Sequence, residues 1–108
     1  MTSRALSAAE SELIRRLLAD HMPRGAKPVE TDLSAVLVDR YDESECLRFV
    51  EPAPSDEVGF NSDMYTFEDR DGVPITAFLI FDPRGIMQEL DLWKADDSPI
   101  VGLRDSFS

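Results

Sequence analysis

The chain holds one histidine, His21, and one cysteine, Cys46, among 108 residues. A Ser-His-Asp triad or a Cys-His pair would have to use that single imidazole, and a multi-histidine zinc site has too few ligands. Nothing in the spacing links Cys46 to His21. A packed structural thiol and a histidine near a helix end is the expected arrangement. Glycine patterns that cradle phosphate or expose a nucleophilic serine are missing from the sequence, so no cofactor is expected. Carboxylates are the chemistry that remains, with 22 Asp and Glu. Asp69-Arg70-Asp71-Gly72 has the opening of a calcium loop, but the twelfth position, which needs a bidentate Glu, is Ile80. Glu68, Glu89 and Asp91 could be assembled into an acid/base or magnesium pair. In so acidic a chain such groupings arise by chance, and the expectation is a protein that is not an enzyme. Asp96-Asp97 reads as a solvated turn.

Charge is unevenly spread. Up to Pro28 there are five basic and three acidic residues, a balance of +2, and the remaining 19 acids and 6 bases give -13 from Val29 onward. Such a surface repels phosphates and anionic lipids and attracts cations, so neither nucleic acid nor membrane is an expected partner. Ala77 to Phe81 is the longest apolar run, far short of the ~20 residues that span a bilayer. With one cysteine and no signal-like apolar run near Met1, the expected location is cytoplasmic.

The elements that must position these groups follow from local patterns. Ser7-Ala8-Ala9-Glu10 is a capping box, and Leu13, Ile14, Leu17 and Leu18 make one apolar stripe, predicting a helix over about 7–22 that Pro23 and Gly25 end. After the linker Pro23 to Pro28, strands are expected at about 33–39, 45–51, 64–68, 73–81 and 86–94. The first two join through Tyr41-Asp42-Glu43-Ser44, and Pro52 to Asn61 is the longest loop. Asp69-Arg70-Asp71-Gly72 and Asp82-Pro83-Arg84-Gly85 fit type I turns closed by a left-handed glycine, which makes a C-terminal β-meander. The predicted fold is α+β: one domain over 1–108, its N-terminal helix packed on an antiparallel five-stranded sheet.

Three-residue loops at both turns set a register, with Asp69 opposite Val73 and Asp82 opposite Ile86. One face then carries Tyr65, Phe67, Ile75, Ala77, Leu79, Phe81, Met87, Glu89, Asp91 and Trp93. The other carries Met64, Thr66, Glu68, Thr76, Phe78, Ile80, Gln88, Leu90 and Leu92. Both are substantially apolar, and one amphipathic helix covers one face. The helix is expected on the Phe78, Ile80, Leu90, Leu92 side. That leaves Tyr65, Glu89, Asp91 and Trp93 as the candidate partner-binding residues, aromatic anchors beside charge.

The segment Arg4 to Leu18 and the segments Asp71-Gly-Val-Pro74 through Glu89-Leu-Asp-Leu-Trp-Lys94 resemble a family of small uncharacterised bacterial proteins, a domain of unknown function with a capped first helix and a closing E-L-D-hydrophobic-W-K strand. The resemblance carries over no catalytic residues. In size and charge the chain is also similar in type to immunity proteins that neutralise toxins. The expected function is non-enzymatic binding of a basic protein, of immunity type. The alternative is a structural protein whose second sheet face meets a second copy of itself.

Overall fold

A computed structural model describes residues 3–40 and 46–102 of the chain. Near its start, Ser7 stands at a helix N-cap, its hydroxyl accepting the Glu10 N–H at 3.1 Å while the Glu10 carboxylate accepts the Ser7 N–H at 2.8 Å. These bonds satisfy donors that a helix start otherwise leaves open. The helix, α1, spans Ala8–Asp20. It stops short of residue 22 because Met22 precedes Pro23, whose ring disfavours helical dihedrals in the residue before it.

Seven strands occur among the described residues: β1 Arg4–Ala5, β2 Leu37–Arg40, β3 Leu47–Glu51, β4 Phe60–Asn61, β5 Tyr65–Glu68, β6 Pro74–Phe81 and β7 Met87–Lys94. They form one sheet in the order β1-β2-β3-β7-β6-β4, with β5 also paired to β6, and every pairing is antiparallel. The α+β class stands, but the expected five strands become seven. β1 and β4 have two residues each, too few to show a period of two. The expected strand at 33–39 is also corrected. Leu33–Ala35 is a 3-10 turn because the Asp32 carboxylate accepts from the Ser34 N–H at 3.0 Å and the Ser34 hydroxyl at 2.7 Å, a local alternative to the strand ladder. The Tyr41-Asp42-Glu43-Ser44 connection lies outside the described residues.

Both meander turns form as the sequence indicates. Asp69 N–H donates to the Val73 carbonyl and Asp82 N–H to the Ile86 carbonyl, each at 2.9 Å, with Gly72 and Gly85 at φ of 83° and 91°. Between β6 and β7, Phe81 opposes Met87 but Ile80 opposes Glu89, so Gln88 is an extra residue on β7. A bulge of this kind shifts the side-chain alternation by one, and every residue beyond it changes face. Leu79 therefore opposes Leu90, Ala77 opposes Leu92 and Ile75 opposes Lys94.

The core forms on that side. Leu13, Ile14 and Leu17 of α1 are wholly buried in one cluster with Ile75, Ala77, Leu79 and Phe81 of β6, Leu90 and Leu92 of β7, and Leu47 and Phe49 of β3. The helix thus covers the Ile75 to Phe81 face. The expected face pairing of Phe78 and Ile80 with Leu90 and Leu92 is corrected by the bulge, which sends the two leucines inward and leaves Phe78 and Ile80 outward.

Candidate binding face

Along β2 and β3, Val38, Leu47 and Phe49 point into the core, so Asp39, Arg48 and Val50 alternate outward. Pairing then lines up Asp39 with Arg48, Arg48 with Glu89, and Glu89 with Ile80 across four strands. Farther along β7, Asp91 opposes Phe78, and Trp93 opposes Thr76, which opposes Thr66. No helix among the described residues covers this outer face. Trp93 is 50 % exposed there.

Of the four residues expected to bind a partner, the structure brings three together. Glu89, Asp91 and Trp93 share the outer face. Tyr65 is on the other, buried, its ring 4.8 Å from His21 and 5.7 Å from Phe67. The physical reason is again the bulge, since Tyr65 on β5 keeps the inward phase that β7 loses. The imagined carboxylate site also comes apart. Glu68 opposes Pro74 and Glu89 opposes Ile80, six positions along β6, or about 20 Å. Glu89 and Asp91, two apart on one strand, stay neighbours.

A loop over 52–59 crosses the outer face beside Glu89. The Gln88 side-chain amide donates to the Ser55 carbonyl at 2.8 Å and to the Glu57 carbonyl at 2.9 Å. Ser55 N–H in turn donates to the wholly buried Asp82 at 2.9 Å. Asp82 also accepts from the N–H of Arg84 and Ile86 and from the Arg84 guanidinium. Burial alone pushes its carboxyl up, but these donors outweigh that and hold it well below the usual carboxylate range. Gly59 lets the loop close on the same turn, for a Cβ there would meet the Asp82 backbone at 2.5 Å. The bulge residue, the turn carboxylate and the glycine together fix the loop against the sheet.

Asp39, Arg48 and the loop were not among the residues singled out from sequence. The signal was present in the alternation of Val38 with Asp39 and of Phe49 with Arg48, which sends both charges away from the core. Asp39 Oδ2 lies 3.6 Å from Arg48, with the Asp39 side chain only 10 % exposed. Among the described residues, Asp39 Oδ1 and Asp91 Oδ1 are buried and accept no hydrogen bond. Each such orphan costs about 1–3 kcal/mol.

A second charged cluster has a structural task. Lys94, inward-facing and 1 % exposed, reaches Asp69 at 2.9 Å and Asp71 at 2.5 Å and donates to the Pro99 carbonyl. Asp69 also accepts the N–H of Val101 and Gly102 at 2.7 and 3.0 Å, which straps the segment 99–102 to the end of the sheet. Burial raises the Asp69 carboxyl, yet Lys94 and the N–H groups of Val101, Gly102 and Arg70 prevail and lower it to about 2. Among the described residues no group of three or more His, Cys, Asp or Glu could hold a metal ion, and no helix is long and apolar enough to cross a membrane.

Comparison with known proteins gives one match: the model of a family described as a domain of unknown function, DUF6984, covers residues 3–104. No curated protein and no solved structure matches the chain.

Proposed function

The chain belongs to this family of unknown function, and from its own surface we propose that it is a non-enzymatic binding domain whose outer sheet face receives a basic protein. One observation carries this reading. Among the described residues the sheet has a helix on one side only and presents on the other a half-exposed Trp93, beside Asp91, one of whose buried oxygens accepts no hydrogen bond from them. Aromatic anchors in a ring of complementary charge are what partner-binding surfaces concentrate. The carboxylates Asp39, Glu89 and Asp91 face one outward arginine, Arg48, and the chain's net charge is -11. A cationic partner would be steered to this face at long range and held by burial of Trp93. Within this reading the finer assignment is an immunity-type inhibitor that occludes the working surface of a basic toxin, in the cytoplasm.

The test follows Trp93 fluorescence on mixing with basic nuclease toxin domains at low and high ionic strength. Association should slow steeply with salt and vanish in Trp93→Asp. Binding equally fast at both ionic strengths would remove the steering argument. The competing occupant is a second copy of the chain, since Trp93 would be buried equally well in a two-fold contact. Sedimentation at micromolar concentration separates the two: a dimer that Trp93→Asp dissociates assigns the face to self-association, and a monomer leaves it for the basic partner.

A further inference from the structure

Between the outer sheet face and the 52–59 loop lies a groove of about 520 Å³, walled by Asp39, Arg48 and Val50 from the sheet, Asp56 and Val58 from the loop, and Glu89 from β7. We propose that this groove is a socket for an arginine side chain of the basic partner, with its guanidinium at the Asp39 and Glu89 end. The proposal deepens the preceding reading and rests on it.

Five features select this ligand. The walls carry three carboxylates against one guanidinium, so a cation is favoured and an anion is repelled. Asp39 supplies an independent pointer: its side chain is nine-tenths buried, and its Oδ1 accepts no hydrogen bond among the described residues. The terminal torsion of an aspartate is soft, so a small turn brings that oxygen to a donor arriving in the groove. The carboxylates are also spread along a cleft and do not converge as a metal ion would require. A planar fork of N–H donors suits such spacing better than a compact ammonium. Val50 and Val58 offer apolar contact for the methylene stem, Val58 being 65 % exposed. The Gln88 and Asp82 bonds hold the loop in place before any ligand arrives, which lowers the ordering cost of binding.

The experiment titrates the isotope-labelled full chain with N-acetyl-argininamide, N-acetyl-lysinamide and the neutral N-acetyl-citrullinamide, following backbone amide shifts. Saturable shifts should centre on Asp39, Val50, Asp56 and Gln88 for the arginine compound. They should need several times more of the lysine compound and be absent with citrulline. Asp56→Asn alters an exposed loop position, so folding is not at stake, and it should weaken argininamide binding by about three- to tenfold. Asp39→Asn should do the same, with its spectrum reporting whether the fold persists. Equal response to citrulline, equal affinity for lysine, or unchanged titration in Asp56→Asn would each overturn the proposal. Failure here is distinguishable from failure of the wider reading. A basic protein that still binds in a Trp93-dependent manner while argininamide ignores the groove removes the socket alone. A groove that takes argininamide while Trp93→Asp changes nothing removes the anchor instead.

Discussion

Deletion of Gln88 would remove the extra residue of the β7 bulge and leave β6 and β7 in plain alternation. Met87 would still oppose Phe81, Glu89 would still oppose Ile80, and every side chain from Glu89 to Lys94 would keep its present face. Leu90 and Leu92, 0 % and 8 % exposed, would stay in the core. Full burial of a leucine is worth about 1.5–3 kcal/mol, so the roughly 3–6 kcal/mol that a change of phase would remove is retained. Glu89 and Asp91 would stay outward, and the Lys94 contacts to Asp69 and Asp71 would persist. A domain of this size has about 5–15 kcal/mol in all. What the deletion removes is the pair of bonds that ties the 52–59 loop to β7, so the variant should keep the dispersed amide spectrum of the parent and melt cooperatively. Gln88→Ala is the control, since it keeps the bulge and removes only the two bonds to the Ser55 and Glu57 carbonyls. At about 0.5–1.5 kcal/mol per bond it should cost roughly 1–3 kcal/mol and retain the fold. A deletion variant without a dispersed spectrum, or one far less stable than Gln88→Ala, would refute the argument that this residue is extra to the register and serves to hold the loop.

Three further outcomes are expected. Ser7→Ala removes the N-cap acceptor and should lower stability by about 1 kcal/mol in chemical denaturation, and no change would mean that the cap is redundant with the Arg4 to Glu10 pair at 2.8 Å. Asp69 and Asp82 have folded-state carboxyls held below their unfolded values, so their contribution is present above the unfolded value near pH 4 and is lost as the pH falls through the folded one. Denaturation midpoints should hence fall between about pH 4 and pH 2, and Asp69→Asn should flatten that fall. Gly59→Ala places a methyl against the Asp82 backbone, and at about 1–3 kcal/mol for such overpacking it should speed hydrogen exchange at Ser55 more than at Leu79.

What the sequence determined by itself is whatever a few neighbouring residues can decide among themselves. The Ser7 and Glu10 cap needs a four-residue window, and the two Asp-x-x-Gly turns close on hydrogen bonds within five residues. These elements, the apolar stripe of α1 and the α+β class follow directly. The phase of β7 was faintly legible too: Met87-Gln88-Glu89-Leu90 places two polar residues where strict alternation allows one, a mark of a bulge inside a buried strand. Only tertiary structure could convert that mark into an assignment, because either phase leaves one apolar set facing solvent. The choice depends on which side α1, β3 and the strap at 99–102 pack. For the same reason β1 and β4, two residues long, exist only through the longer strands they pair with. Asp39 gains meaning only when β3 brings β2 and β7 to either side of Arg48 and the loop closes above it. Local hydrogen bonds are written in adjacent residues, whereas register and the sharing of a face depend on contacts between segments tens of residues apart.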